Sequence, residues 1–359
     1  MTESLLVVDT RLPARLVSLA TAVPIHVLRQ DDVIVAAEQI LGAGFADFKR
    51  LAPVYRNACI DQRYACMPID WFYRPHDFTE RNSLYIKHAV DLLVEAAAKA
   101  IASAGLTADQ IDGVMTVSTS GIATPSLDAL VIERMRLRRD VQRLPIFGLG
   151  CAGGVIGLAR AAQIAMAEPD KIYLFLVVEL CSLNFLHGDR SSSNIVATAL
   201  FGDGAAAAVV SCQGAGPILR AWAEHSWPNS LDVMGWDVGN DGLKVIFSRD
   251  IPSLARRDLR PVIDRFLGSR ALGLADIDRF VCHPGGAKVL DALEQALDMS
   301  PGDLVASRAI LRRYGNMSAA TVLFVLRQVL MEEPSWQGRA LLTTFGPGFT
   351  AGLLLLERA

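Results

Sequence analysis

The sequence predicts a duplicated α/β protein in which mixed or parallel sheets are covered by helices. The first observation is a pair of similar segments, LTADQIDGVMTVSTSG and LGLADIDRFVCHPGG, in which Asp112 matches Asp278 at an offset of 166 positions. The second is a longer pair, in which the segment that begins at Gly150 matches the one that begins at Gly315, at an offset of 165. Unrelated similarities would not share an offset, so the two pairs indicate a duplicated half-domain.

Length and composition agree with two fused halves. The chain has 359 residues, of which 52% are hydrophobic and 20% are charged, as expected for a globular protein with a large apolar core. We predict an N-terminal half over residues 1–212 and a C-terminal half over residues 213–359. The formal net charge of −3 and the lack of a basic run argue against nucleic acid as a partner.

The cysteines and the apolar runs restrict the compartment. The six cysteines are scattered and form no Cys-x-x-Cys pair, so neither a disulfide framework nor a metal site is expected. The first residues lack a positive start followed by a long apolar stretch, and no apolar run approaches the roughly 18 residues of a membrane span. We therefore expect a cytoplasmic protein without a membrane span.

The N-terminal part is predicted to contain one strand, two helices and an irregular excursion between them. Residues 15–21 form a strand that ends before Pro24, and residues 30–51 form a helix because their apolar positions recur at helical spacing. The aromatic and basic segment 56–82 is predicted to be a surface excursion. An Ala-rich helix follows over 83–104.

Short β-rich runs then alternate with helical patterns in both repeats, which favours sheets covered by helices. In the first repeat we predict strands over 114–120, 144–150, 172–180 and 205–212, helices over 127–138 and 151–167, and a Ser-rich loop at 191–193. A linker rich in Gly, Pro and Asn follows over 213–241. In the second repeat we predict helices over 251–267, 287–297, 307–314 and 317–331, and strands over 279–283, 339–345 and 351–357.

Cys151 is the candidate nucleophile. It stands among glycines in GLGCAGG and opens an apolar helix, and glycines allow a sharp turn and a close approach of substrate. A thiol at a helix N-terminus lies at the positive end of the helix dipole, so we expect its pKa to be lowered toward the thiolate.

His283 and Asn316 are the candidate partners of this cysteine. His283 ends the first strand of the second repeat in CHPGG, where an imidazole can polarise a thioester carbonyl or support a thiolate. Asn316 occupies the turn equivalent to that of Cys151 and offers an amide donor for an oxyanion hole. Cys, His and Asn at strand-to-helix turns of a duplicated unit indicate acyl-thioester chemistry.

These residues resemble the type III polyketide synthases, the homodimeric relatives of chalcone and stilbene synthase in the thiolase superfamily. The resemblance covers residues 15–357 and is carried by GCAGG around Cys151, ALFGDGAAA around Phe201, HPGGAKVLD around His283, YGNMSAATVLFVL around Asn316 and FGPGFT near the C-terminus. It implies a thiolase-like fold with duplicated five-stranded mixed sheets in an α-β-α-β-α arrangement.

The resemblance also implies the reaction. Cys151 would take an acyl group from a CoA starter, and malonyl-CoA would lose CO₂ while His283 and Asn316 hold the enolate oxygen. Repeated condensation and cyclisation would follow. Phe201 matches the phenylalanine that guards the boundary between CoA tunnel and cavity. Acyl-CoA and malonyl-CoA would be the substrates, without cofactor or metal.

Several positions depart from the plant members of the family. Val245 matches the second gatekeeping phenylalanine, Trp236 a glycine of the elongation cavity, and Cys181 and Asn184 two pocket threonines. Thr124 matches a methionine that family members extend into the partner's cavity. Small residues at 119, 120, 124 and 181 would open a narrow apolar tunnel, as in bacterial members that accept fatty acyl starters and make alkylpyrones or alkylresorcinols.

The residues expected at the substrate are thus Thr119, Ser120, Thr124, Cys181, Asn184, Trp236, Val245 and Ser318. Arg50, Arg56 and Gly285 are the candidates for binding CoA. Two alternatives stay open. One is a ketoacyl synthase III-like enzyme that performs a single condensation, and the other is a non-catalytic partner with the thiolase fold.

Overall fold

The computed structural model describes residues 12–42, 50 and 52–358. The strands are β1 (Arg15–Ala22), β2 (His26–Arg29), β3 (Gln62–Ala65), β4 (Gly113–Val117), β5 (Gln142–Ile146), β6 (Ile172–Leu180), β7 (Asp203–Ser211), β8 (Ile218–Ser226), β9 (Met234–Gly239), β10 (Gly242–Phe247), β11 (Arg279–Cys282), β12 (Gly338–Gly346) and β13 (Thr350–Arg358). The α-helices are α1 (Gln30–Leu41), α2 (Pro53–Asn57), α3 (Phe78–Ser103), α4 (Leu127–Met135), α5 (Gly153–Ala167), α6 (Ser192–Leu200), α7 (Ile251–Gly268), α8 (Ala287–Ala296), α9 (Val305–Tyr314) and α10 (Thr321–Glu332).

The main sheet joins strands from both halves of the chain. Its strand order is β11-β12-β13-β8-β1-β7-β6-β4-β5. The pairs β4–β5, β4–β6 and β11–β12 are parallel, and the pairs toward the middle of the sheet are antiparallel. The two halves meet at the single register pair between Arg15 and Ile218.

Helices and sheet form five layers. Apolar side chains of α5 and α10 pack together between the sheet portions of the two halves, where their neighbours include Phe175 and Leu342. On the outer face of the first half, α3 and α4 cover residues such as Leu174 and Leu176. On the outer face of the second half, α7 and α8 cover residues such as Leu355. The predicted α-β-α-β-α fold class is confirmed.

The two halves differ in strand count. The first half contributes five strands to the main sheet, as expected, and the described residues of the second half contribute four. An offset of 165 positions puts the counterpart of β5 inside α9. Its sequence, VASRAILRRY, consists largely of good helix formers, whereas β5 contains Pro145.

Three further segments differ from the sequence-based expectation. The predicted linker 213–241 contains β8, which is internal to the main sheet, and the whole of β9. The Ser-rich stretch begins α6, because the Ser191 side chain accepts a hydrogen bond from the Asn194 amide and caps the helix. The excursion contains the last two residues of α2, β3 and a 3₁₀ turn, and α3 begins within it, capped by Asp77.

The predicted helix over 30–51 is observed as α1 up to Leu41, while residues 43–49 and 51 lie outside the described part of the chain. Within that part, one segment, Gly150–Ala167, is long and apolar enough to cross a membrane by length and composition. Of the residues in this segment, 72% are buried, as in the core helix of a globular protein.

Candidate active site

Cys151 lies in a 3₁₀ turn, Gly150–Ala152, that leads directly into α5. Gly150 has φ +47°, and a Cβ there would stand 2.5 Å from the Pro347 ring, so this turn requires glycine. Cys151 is buried, with 7% of its surface exposed. Its thiol donates to Ser318 Oγ over 3.5 Å.

Asn316 is held by both its backbone and its amide. Its N–H donates to the Leu200 carbonyl over 2.8 Å, and its own carbonyl accepts from the Gly202 amide over 3.0 Å. In the side chain, Oδ1 accepts from the Ser318 amide and Nδ2 donates to the Gly285 carbonyl over 3.2 Å. An amide nitrogen carries two hydrogens, so one donor is left for a substrate oxygen.

His283 follows β11 directly and is attached to the sheet through its backbone. Its N–H donates to the Thr343 carbonyl over 2.9 Å. The ring is buried, and neither ring nitrogen has a hydrogen-bond partner among the described residues. A buried imidazole without a protein partner is available to a ligand.

The turns of Cys151 and Asn316 are in contact across the middle of the molecule. Helices α5 and α10 begin next to each other. Their backbones are so close that a Cβ at Gly154 would lie 2.3 Å from the Ala319 carbonyl oxygen. The duplication therefore brings the candidate nucleophile and the candidate amide donor together, as the sequence predicted.

Burial dominates the electrostatics of the site. It raises the pKa of the Cys151 thiol to about 12 and lowers the pKa of the His283 imidazole to about 3. The prediction that the helix dipole lowers the pKa of this cysteine was therefore wrong. Removal from water outweighs the field of one helix terminus.

Glu179, near the end of β6, is a buried carboxyl group that the sequence analysis did not single out. Burial raises its pKa to about 7, although hydrogen bonds that include one from the Thr119 amide act in the opposite direction. Its charge in turn raises the pKa of Cys151. A charged residue inside an otherwise apolar strand was the signal in the sequence.

Thr119 and Ser120 lie beside this carboxyl group and bind backbone. Thr119 Oγ1 accepts from the Gly150 amide over 3.1 Å, and Ser120 Oγ accepts from the Leu180 amide over 2.8 Å. Neither residue lines either of the cavities described below. Thr119 instead supports the turn of the candidate nucleophile.

A small apolar cavity of about 80 Å³ is lined by most of the other predicted substrate residues. The predicted residues among its lining are Cys181, Asn184, Phe201, Trp236 and Val245. Its remaining wall comes mainly from α1, the 3₁₀ turn Ile69–Tyr73 and α6, and includes Leu28, Ile40, Leu41, Ile69, Phe72 and Phe185.

A larger cavity of about 430 Å³ lies next to the start of α8. Of the three residues predicted to bind CoA, Arg50 and Gly285 line this cavity, whereas Arg56 is exposed and does not. Arg249 and Lys288 also line it, and the sequence analysis missed both. Cationic side chains around a cavity of this size suit a phosphorylated ligand.

Two aromatic rings stand between the cavities. Phe201 lines the small cavity and Phe247 lines the larger one, and the rings meet edge to face with centroids 6.3 Å apart. Val245, two positions before Phe247 on β10, faces the small cavity. The position matched to the second gatekeeping phenylalanine is thus aliphatic, and Phe247 supplies the aromatic partner.

Thr124 lies away from these residues, exposed in the loop between β4 and α4. No group of three or more metal-ligating side chains occurs within the described ranges of the chain. The nucleophile turn, the amide donor, the unpartnered imidazole and the two cavities therefore form the candidate site.

Comparison with known proteins identifies the family. The N-terminal domain of chalcone and stilbene synthases matches residues 3–217, and the C-terminal domain matches residues 219–358. The chain is 35% identical to a putative chalcone synthase of Bacillus subtilis, over 96% of this chain and 98% of that protein. It is 39% identical to the 1,3,6,8-tetrahydroxynaphthalene synthase of Streptomyces peucetius, over 94% and 91% of the two chains.

The structure is similar as well. The crystal structure of the Streptomyces coelicolor 1,3,6,8-tetrahydroxynaphthalene synthase matches with a TM-score of 0.91 and 29% identity, over 96% of this chain and 99% of that one. The chain therefore belongs to the chalcone and stilbene synthase family and is a type III polyketide synthase, an enzyme that condenses malonyl-CoA and uses CoA thioesters without a further cofactor.

Proposed function

We propose that this synthase extends a fatty acyl-CoA starter with malonyl-CoA and releases an alkylpyrone or alkylresorcinol. The observation that carries the proposal is the small cavity beyond Phe201, whose exposed wall surface is predominantly apolar and includes Leu28, Ile40, Phe72 and Phe185. Each buried CH₂ of a starter contributes roughly 0.8 kcal/mol to binding. Such a cavity therefore favours an alkyl chain over a polar or charged starter.

Cys151 is the proposed acyl carrier. Burial opposes both a lone thiolate and a lone imidazolium, so we infer that the thiol proton passes to His283 as the pair becomes ionised. The sulfur then attacks the thioester carbonyl of the starter, a C–S bond to Cys151 forms, and CoA leaves as its thiol after taking up a proton.

His283 and Asn316 are the proposed donors in the extension step. Malonyl-CoA loses CO₂, and the electron pair of the broken C–C bond forms an enolate at the thioester. The free amide hydrogen of Asn316 and a ring N–H of His283 hold the enolate oxygen. The enolate carbon attacks the Cys151 thioester, which releases the cysteine sulfur for the next round.

CoA is proposed to occupy the larger cavity. Arg50, Arg249 and Lys288 would bind its phosphates, and Gly285 lies where the chain approaches Asn316. The aromatic pair of Phe201 and Phe247 would separate this cavity from the growing polyketide.

We propose in addition that the enzyme is cytoplasmic and dimeric, with the exposed Thr124 loop facing the partner.

The test is product analysis with purified protein, short, medium and long acyl-CoA starters and radiolabelled malonyl-CoA. We expect long starters to be incorporated into pyrone or resorcinol products, with Cys151→Ala as the inactive control. If the enzyme made tetrahydroxynaphthalene from malonyl-CoA alone, the proposal of a fatty acyl starter would be overturned. A single β-ketoacyl product would support the one-condensation alternative, and no turnover at all would support the non-catalytic alternative.

Cys181 tests the same proposal within the cavity, because its side chain is buried in the wall. We expect Cys181→Phe to lower kcat/KM progressively with starter length while malonyl-CoA decarboxylation is retained. Cys212→Phe is unsuitable as a control, since that residue is in the core, so exposed Cys59→Phe serves instead. A uniform loss over all starters would argue against the cavity as the acyl site.

A further inference from the structure

Strand β12 touches both candidate catalytic residues at two consecutive positions. The Thr343 carbonyl accepts a hydrogen bond from the His283 amide over 2.9 Å. The Thr344 hydroxyl donates to the Cys151 carbonyl over 2.7 Å. The nucleophile comes from the first half of the chain and the histidine from the second, so this dipeptide connects the two across the duplication.

The end of β12 also packs closely on the nucleophile turn. A Cβ at Gly346 would lie 2.4 Å from the Leu149 carbonyl oxygen and 2.6 Å from the Ala152 side chain. These van der Waals contacts have no preferred direction, whereas the hydrogen bond from Thr344 fixes the position of the Cys151 carbonyl oxygen. Thr344 is 2% exposed, and water therefore competes little for that bond.

We propose that Thr344 is a positioning residue that holds the Cys151 turn at a fixed separation from His283. The connection from cysteine to histidine runs through only two hydrogen bonds and one peptide unit of β12. Because the thiol and the imidazole must exchange a proton, their separation sets how readily the thiolate forms. The role rests on the proposed function of Cys151 and His283 and does not depend on which starter is used.

The test compares three variants at this position. Thr344→Val keeps the branched shape and removes the donor, Thr344→Ser keeps the donor, and Thr344→Ala removes it with less crowding. The rate of Cys151 alkylation by iodoacetamide is measured against pH, together with kcat and KM for malonyl-CoA. Iodoacetamide needs no CoA site, so the rate of Cys151 alkylation does not depend on which starter the enzyme uses.

We expect Thr344→Val and Thr344→Ala to alkylate Cys151 and turn over about 10-fold more slowly at neutral pH, with the alkylation profile displaced to higher pH and KM within about two-fold. Thr344→Ser should retain wild-type behaviour. Ser18→Ala is the matched control, because the Ser18 hydroxyl donates to the Ala100 carbonyl over the same 2.7 Å between β1 and α3. It should lose stability without a change in alkylation.

Wild-type alkylation and kcat in Thr344→Val would overturn the proposal. So would a Thr344→Ser enzyme as impaired as Thr344→Val, since a bond that matters through its donor must be rescued by another hydroxyl. If Thr344→Val does not fold, Thr344→Ala and Thr344→Ser decide the question by the same comparison.

Discussion

Asn316 shows how one side chain can serve both structure and chemistry. Its Oδ1 accepts from the Ser318 amide, which orders the turn beside Cys151, while its Nδ2 has a hydrogen left for a ligand. The two ends of the amide thus have separate functions. This separation makes the proposed role of the donor testable by substitutions that affect one end and spare the other.

We expect Asn316→Ala to slow malonyl-CoA decarboxylation and condensation by ~10²–10³-fold, the usual effect of removing one oxyanion donor. Loading of Cys151, followed by mass spectrometry of the acyl-enzyme, should change far less. Asn316→Asp retains the acceptor for Ser318 and loses the donor, so it should be as slow as Asn316→Ala. A fully active Asn316→Asp enzyme would show that the bond to Ser318 is what matters.

Glu179 predicts a pH dependence of stability. Its pKa is raised from 4.5 to about 7, so the folded protein binds more protons than the unfolded chain between those values. The contribution of Glu179 to stability should therefore be constant below pH 4.5 and fall as the pH rises toward 7, by roughly 3 kcal/mol in all.

Glu179→Gln is neutral throughout this range and lacks that loss. The difference in free energy of unfolding between variant and wild type, measured by urea denaturation, should therefore grow in favour of the variant from pH 4.5 to pH 8. A pH-independent difference would contradict the raised pKa. The same substitution should lower the pKa of Cys151, since the Glu179 charge raises it.

At the scale of elements, the sequence predicted the repeats better than the surroundings of the site. Helices α5 and α10 were predicted because their apolar residues recur over long stretches and match each other at one offset. Strand β8 was missed because its alternating buried and exposed residues include Trp222 and Glu224, and such a pattern next to glycines and prolines indicates a linker equally well.

The candidate site was likewise predicted only where its residues belong to the repeats. Cys151 and Asn316 lie at equivalent turns and His283 ends the first strand of the second repeat, and the duplication makes these places visible. Phe247 could not be found in this way, because its aromatic partner Phe201 comes from a segment far along the chain. Lys288 stands in the HPGGAKVLD motif, but the motif does not reveal its place in the wall of the larger cavity. Neither periodicity nor a motif records such contacts.

Arg63, on β3, fixes the end of α6. Its buried guanidinium donates to the carbonyls of Thr198, Ala199 and Phe201, all at the C-terminal end of that helix. A lysine keeps the charge but cannot reach these acceptors with a planar fork. Since Phe201 directly follows the last residue of α6, Arg63 connects the N-terminal excursion to the wall between the two cavities.

We expect Arg63→Lys to lower the free energy of unfolding by roughly 3 kcal/mol, because buried carbonyls are left without donors. Arg220→Lys is the control: that arginine is 49% exposed and paired with Glu357, so the change should stay within about 0.5 kcal/mol. Urea denaturation of both variants makes the comparison. If both variants changed the free energy of unfolding equally, the hydrogen bonds from the Arg63 guanidinium to α6 would contribute little to stability.

At the scale of the molecule, the sheet ends in β5, whose strand residues are largely exposed. Phe147 directly after β5 is 60% exposed, and Ile122 beyond the parallel neighbour β4 is 45% exposed. A strand at the edge of a sheet with apolar residues beside it is a template for pairing. We infer that β5 lies at the interface of the proposed dimer.

Phe147→Glu should therefore shift the protein toward monomer in sedimentation velocity at micromolar concentration. Leu231→Glu, at an equally apolar residue that is 84% exposed in another loop, should leave the dimer intact. A wild-type protein that sediments as an active monomer would contradict the dimer itself. Dissociation by both variants alike would place the interface elsewhere.

The central layer also sets the order in which the protein can be assembled as it is synthesised. Helix α5 ends at Ala167, and its apolar partner α10 begins at Thr321, 154 residues later (321 − 167). At about 5–20 residues per second, a ribosome needs about 8–30 seconds to make that interval. For this time the apolar surface that α10 will cover is open to other chains. A nascent chain that has not yet reached α10 therefore exposes an apolar surface that the complete fold buries.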